Sequence, residues 1–286
     1  MTDNEVEIMD DKKIEELSEI ARQSRVWIIK SLTESKSGHP GGSLSSCDIL
    51  TYLYFHAMNV DPQNPHDPDR DRLILSKGHC APALYTSLAL KGFFPKEDLL
   101  SLRKLGSKLQ GHPDARKVPG VDASTGSLGQ GLSIANGIAL AGKLDGKDYT
   151  VYSIIGDGET EEGQIWEAAM TAVHYQLDNV IAFLDYNHLQ IDGRIEDVKS
   201  NGNFANRFKS FGWHVIEIDG HDLHAIDEAV RAAKREKEAP TMIIAHTIKG
   251  KGVKFMEGIA DWHGKAPSKD QALEAIQLLG EKWEGN

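Results

Sequence analysis

"YTVYSIIGDGETEEGQIWEAAMTAVHYQLDNVIAFLDYN", residues 149–187, decides the fold. An apolar run at 151–155 ends in Gly156-Asp157-Gly158, a helical stretch follows, and a second apolar run begins at 180. Short, fully apolar runs alternating with helices predict parallel strands covered on both faces. The alternation continues downstream: "NGNFANRFKSFG" reads as helix, "WHVIEID" as strand, "LHAIDEAVRAAKREK" as helix and "PTMIIAHT" as strand. Upstream, "DKKIEELSEIARQSRVWIIKSLTES" is an amphipathic helix, with Ile14, Leu17, Ile20, Ala21, Val26, Ile28 and Ile29 at near-helical spacing. A helix through "CDILTYLYFHAM", the turn-rich "DPQNPHDPDRDR", a short strand in "LILSKGH" and a helix at "APALYTSLALKG" complete the first half. No repeat or linker divides the chain. The expectation is one doubly wound α/β domain over 1–286, with residues 1–11 a flexible tail.

Composition excludes several classes. Of 286 residues, 40% are hydrophobic and 26% charged, an ordinary globular balance. The formal net charge of −11, with no basic stretch, argues against nucleic-acid binding. Two cysteines without CxxC spacing, Cys47 and Cys80, argue against a disulfide framework or a zinc site and fit a reducing cytoplasm. The acidic N-terminus is unlike a targeting signal, and no apolar run is long enough to span a bilayer.

In an open α/β sheet, ligands bind at the carboxyl ends of the strands. The loops after Ile155, Leu184 and Ala245 qualify, and they hold Asp157, Asn187 and Lys249. Gly156 and Gly158 let the backbone turn sharply and let a ligand approach. Taken alone, Gly-Asp-Gly equally describes a tight strand-to-helix turn capped by its Asp, with Glu159, Glu161 and Glu162 complementing a helix dipole. Asn187 alters this reading, because it lies one βαβ unit further on and so beside Asp157. An Asp carboxylate and an Asn carbonyl are hard oxygen donors suited to magnesium or calcium. An acid in a phosphate-shaped corner makes sense if a divalent ion joins it to a diphosphate. The pairing resembles the thiamine diphosphate fingerprint.

Four further stretches are rich in Gly and His and loop-like: "KSGHPGGSLS", "LSKGHCAPALY", "QGHPDA" and "STGSLGQGLS"; "DWHGKAPS" follows near the end. A single histidine in such a loop is more often structural than catalytic. Four of them, His39, His79, His112 and His263, suggest donors to phosphate or alkoxide oxygens and proton transfer near neutral pH. In order and spacing, these motifs resemble transketolase over residues 12–270, within the family's N-terminal, diphosphate-binding domain. The resemblance implies the thiamine diphosphate-binding fold, thiamine diphosphate as cofactor, and Mg2+, or Ca2+ or Mn2+ in its place. It implies metal ligation by Asp157, Asn187 and the backbone carbonyl of Leu189. Cofactor contacts would come from Gly156, Gly158, Asn187, His79 and His263, with Gly126, Ser127 and Leu128 around the aminopyrimidine. His39, His79, His112 and His263 would surround the sugar's reacting hydroxyls. Glu162 resembles the family's buried glutamate linking two active sites across a dimer; its alternative is an ordinary first-turn acid. Two departures affect little: Ser127 stands where the family commonly has Pro, and His188 occupies a variable position.

Transketolases are usually more than twice this length, and no stretch here resembles their pyrimidine-binding domain. The expectation is therefore one subunit of a split transketolase rather than a truncation. It would require a separate C-terminal subunit with the pyrimidine domain, in a heterotetramer acting on sugar phosphates. Rival readings are a 1-deoxyxylulose 5-phosphate synthase-like enzyme, the α chain of a two-subunit pyruvate dehydrogenase, or a non-catalytic cofactor-binding subunit. The "SGHPGG" and "GHPDA" loops favour transketolase.

Overall fold

The computed structural model describes residues 8–200 and 202–284. Its strands are Arg72–Leu75 (β1), Val151–Gly156 (β2), Val180–Tyr186 (β3), Leu189–Gln190 (β4), Gly193–Arg194 (β5), His214–Asp219 (β6) and Thr241–His246 (β7). Its α-helices are Asp11–Ser35 (α1), Pro40–Ser45 (α2), Cys47–Tyr52 (α3), Ala81–Lys91 (α4), Gln130–Leu144 (α5), Gly163–His174 (α6), Ile195–Lys199 (α7), Phe204–Phe211 (α8), Leu223–Arg235 (α9) and Lys269–Leu278 (α10).

Five strands form one parallel sheet in the order β1-β2-β3-β7-β6, and β4 pairs with β5 in a small antiparallel hairpin. Successive residues of a strand point to opposite faces, and the core divides accordingly. Tyr152, Ile154, Ile181, Phe183 and Ile243 pack on one face with residues of α1, α3, α4 and α9. Val151, Ile155, Val180, Ala182, Leu184 and Ile244 pack on the other with residues of α5, α6 and α8. β6, at the edge, is only half-buried and keeps charged Glu217 and Asp219, which discourage pairing with another edge. α9 buries Leu223, Ile226, Ala229, Val230 and Ala233 at helical spacing, and Asp222 caps it by accepting from the amides of His224 and Ala225.

At the N-terminus, Met9 is buried and Asp10 caps α1, which begins at Asp11; of the expected tail, residues 1–7 lie outside the described residues. Two stretches expected as loops run into helices: "KSGHPGGSLS" is helical from Pro40, where α2 begins, and "STGSLGQGLS" stays a loop until α5 begins at Gln130. Pro40 suits a first helical position, where its missing N–H is no loss. Gly41 and Gly42 are needed for close packing: a Cβ on Gly41 would fall 2.9 Å from the Trp262 carbonyl, and one on Gly42 would fall 2.6 Å from Cys80 Sγ. A helix built from glycine is invisible to propensity because tertiary contact, not intrinsic preference, stabilises it. No helix among the described residues is long and apolar enough to cross a membrane.

Candidate functional site

β1, β2, β3 and β7 are adjacent and parallel, so their carboxyl-end loops share one rim. The register sets Gly156 beside Asp185 and Asp185 beside Ala245. Asp157 reaches across to the next loop: its Oδ1 accepts from the Gly158 amide at 2.8 Å and its Oδ2 from the His188 amide at 2.7 Å. His188 adopts a left-handed φ of 66°, unusual for a non-glycine residue, in the segment between Asn187 and Leu189. Asn187 Oδ1 accepts from the Leu189 amide at 3.1 Å. The three expected metal ligands therefore belong to one hydrogen-bonded corner.

Its electrostatics fit a cation. Asp157 is 3% exposed, and its carboxyl is pushed up to about 7, chiefly by burial and then by the nearby Asp185 charge. A divalent ion would relieve that cost. Among the described residues no group of three or more His, Cys, Asp or Glu side chains is arranged for a metal. The donor set here does not need one, since it consists of one carboxylate, one amide oxygen and one backbone carbonyl, with magnesium completing its shell from water and phosphate.

Two lysines flank the corner. Lys77 is buried, ion-paired to Asp185, and donates to the Gly42 carbonyl at 3.0 Å. Asp185 also accepts from the hydroxyls of Ser45 and Thr247. Lys249 Nζ donates to the Leu189 carbonyl at 3.0 Å and lies 2.9 Å from His263 Nδ1. Burial lowers the Lys249 ammonium to about 8, against the opposing pull of Asp157. A charged Lys249 makes His263 Nδ1 the acceptor, which puts the imidazole proton on Nε2.

His39, His79 and His263 form a triangle, with ring centroids 5.0, 5.1 and 5.4 Å apart. Burial first, and neighbouring positive charge second, lowers His39 to about 4 and His263 to about 3; His79 lies well below its ordinary value for the same reasons. The three rings are neutral at pH 7. Each can therefore donate from one nitrogen and accept at the other. His39 Nδ1 is buried without a hydrogen-bond partner among the described residues. His112 is more exposed and lies outside the triangle, against Gly126, where an added Cβ would come 2.9 Å from its ring. The loop of Gly126, Ser127 and Leu128 meets the His79 loop at Gly78, whose Cβ would fall 2.7 Å from the Gly126 amide nitrogen.

The burial expected of Glu162 is one between two subunits. The residue is exposed in the single chain, at the N-cap position of α6 without a capping side-chain bond. The buried glutamate is Glu159, which accepts from Ser76 Oγ and from the amides of Gly129 (2.9 Å) and Gly156 (3.0 Å), tying three loops of the rim together. Lys77 and Asp185 are not among the residues that the sequence singles out, and Glu159 is read there only as a first-turn acid. Asp185 gave a signal, as an acid at the end of an apolar strand.

Because folded His39 and His263 resist protonation while unfolded histidines titrate near 6.5, this contribution to stability is complete above that pH and is lost as pH falls toward 4. Melting midpoints from pH 7.5 to 5 should fall less steeply in His39→Asn/His263→Asn than in the parent. Parallel curves would contradict the neutral-histidine assignment.

Known proteins match the chain over nearly its whole length. The family model described as "Transketolase, thiamine diphosphate binding domain" matches residues 17–284. The chain is 50% identical over 266 residues to the 6-deoxy-6-sulfo-D-fructose transketolase subunit SqwG of Clostridium sp., covering 91% of this chain and 97% of that one. It is 43% identical over 272 residues to an apulose-4-phosphate transketolase subunit from Phocaeicola vulgatus, covering 95% and 96%. The transketolase of Pichia stipitis, solved with sedoheptulose-7-phosphate, superposes with a TM-score of 0.89 at 33% identity, over 93% of this chain and 41% of that longer one.

Proposed function

The chain belongs to the transketolase family, and on that premise we propose that it is the diphosphate-side subunit of a two-chain transketolase. In this reading residues 1–286 form one domain that works in the cytoplasm, where the buried thiols of Cys47 and Cys80 stay free. Its partner is a C-terminal subunit with the pyrimidine domain, in a heterotetramer of two copies of each. The complex moves a two-carbon ketol unit from a ketose phosphate to an aldose phosphate.

Thiamine diphosphate, when bound, supplies the nucleophilic ring carbon and the electron sink for breaking the sugar's carbon–carbon bond. The chain's own residues hold and orient the reactants and move protons. Asp157 Oδ, Asn187 Oδ1 and the Leu189 carbonyl hold magnesium. Gly156, Gly158 and Asn187 border the diphosphate, and Gly126, Ser127 and Leu128 border the aminopyrimidine. Lys249 adds a cation on the same side. His39, His79 and His263 donate N–H to sugar oxygens and accept hydroxyl protons at their free nitrogens, with His112 at the more exposed edge. Glu162, exposed in one chain, fits a role that begins only when a second subunit covers it.

One observation carries the reading: the Lys249 ammonium bonds both the Leu189 carbonyl of the metal corner and His263 of the imidazole triangle. Cation site and proton-transfer groups are thereby parts of one site.

The test is reconstitution. This chain alone should not transfer ketol units, whereas mixing it with its partner should give transfer from xylulose 5-phosphate to ribose 5-phosphate. The donor panel should include 6-deoxy-6-sulfo-D-fructose and apulose 4-phosphate, which are named for the two relatives. Full activity without a partner overturns the two-chain reading, and product from pyruvate plus glyceraldehyde 3-phosphate alone favours the synthase.

A further inference from the structure

Arg103 follows a short 3-10 turn at Lys96–Ser101 and belongs to none of the motifs above. Its backbone has φ 57°, a left-handed conformation that strains a non-glycine residue, and its amide donates to the Leu109 carbonyl at 2.8 Å. Glycine would adopt this shape more readily, so an arginine here points to a use for the side chain. That side chain runs between two histidine loops. Its Nη1 donates to Ser37 Oγ at 3.0 Å, beside His39. Its guanidinium lies against Gly111, beside His112, where an added Cβ would fall 2.7 Å from Cζ. Gly38 approaches the same group, with its Cβ position 3.8 Å from Nε. Arg103 Nε and His39 Nδ1 are both buried without hydrogen-bond partners among the described residues.

We propose that Arg103 is a positioning residue, whose guanidinium clamps the His39 loop to the His112 loop and presents a permanent positive charge to both imidazoles. The groups facing His39 are Arg103, His112 and Lys249, together with the rings of His79 and His263. His112 faces Arg103, while the Tyr85 hydroxyl donates to its carbonyl at 3.0 Å. After burial, the Arg103 charge does most to hold both rings below the ordinary histidine range, whereas His79 and His263 are lowered by other neighbours, chiefly Lys77 and Lys249 respectively. Arginine suits the task because it stays charged at every working pH, and its planar fork can bond one loop while lying flat on the other. A fixed charge of this kind keeps His39 and His112 able to accept protons in mildly acid solution.

The test reads the imidazoles directly, and only its activity arm rests on the transketolase reading. In the chain with isotope-labelled histidine, Arg103→Met should raise the His112 titration midpoint, and the onset of His39 protonation, by roughly half a pH unit or more. His263 should not move, and Arg103→Lys, which keeps the charge, should leave both responders in place. Arg103→Gln is a second neutral variant in case Arg103→Met folds poorly. In the reconstituted complex, the acid limb of kcat should move up by a similar amount in the neutral variants alone. Unshifted His112 and His39 signals, or an equal shift in Arg103→Lys, overturn the proposal whatever the activity. Shifted signals in a complex without ketol transfer support the proposal and reject the transketolase reading.

Discussion

Asp157→Ala is expected to weaken magnesium-dependent thiamine diphosphate binding at least about 100-fold, roughly 2.7 kcal/mol or more, while the ligand-free chain stays folded and loses the part of its pH dependence that this carboxyl supplies. The first half follows from the donor set. Asp157 is its only carboxylate, and an amide oxygen with a backbone carbonyl leaves magnesium without a charged protein ligand. The second half follows from burial. The carboxyl is held near 7 by desolvation and by Asp185, so its ionised form is disfavoured in the fold. An unfolded Asp titrates near 3.8, so folding takes up a proton between these values, and this group's contribution falls as pH rises from 3.8 to about 7. Removing the group removes that fall. Titration calorimetry with magnesium and thiamine diphosphate, beside thermal melts, measures both. Unchanged magnesium-dependent affinity would show that Asp157 is not a ligand.

Lys77→Met should cost about 3–5 kcal/mol, because it strands Asp185 as a buried charge. Lys77 and Asp185 side chains are 2% and 0% exposed, so water cannot replace the lost partner. The hydroxyls of Ser45 and Thr247 still donate to the carboxylate, but neither neutralises it. Against a typical stability of about 5–15 kcal/mol, a loss of this size is severe. Adding Asp185→Asn should recover much of it, since the amide fills the same space without charge. Urea denaturation of the single and double variants decides the point. A loss below about 1 kcal/mol for Lys77→Met would mean that the pair is well solvated when broken.

The parallel sheet was legible because burial on both faces leaves its mark residue by residue. Runs such as 151–155 and 180–184 are short, rich in β-branched and aromatic residues and set between helical stretches, which favours buried parallel strands. α1 was legible through the near-helical spacing of its apolar residues, and α9 through its place between two apolar strands. α2 and the start of α5 were not, because Gly41, Gly42 and Gly131 are there for close approach; a Cβ on Gly131 would fall 2.3 Å from Ser76 Oγ. Periodicity and propensity report what a segment prefers alone, and these segments are shaped by what lies against them.

The candidate site divides similarly. Asp157 and Asn187 could be paired from sequence because a βαβ unit has one hand and one size, which fixes where its two loops emerge. The Gly-His motifs marked the histidines. Sequence could not state that His39, His79 and His263 form a triangle while His112 lies outside it, since their four loops leave from different elements. Nor could it separate Glu159, buried and bonded to three loops, from Glu162, three residues away and exposed.

The sequence by itself determined the strand ends and the chemistry placed on them, because hydrophobic alternation and residue type are local properties. The tertiary structure decided which groups are neutral, which are paired and which face one another. Burial, Coulombic neighbours and hydrogen-bond partners come from segments far apart in the chain: Lys77 meets Asp185 across 108 residues, and Lys249 meets Leu189 across 60.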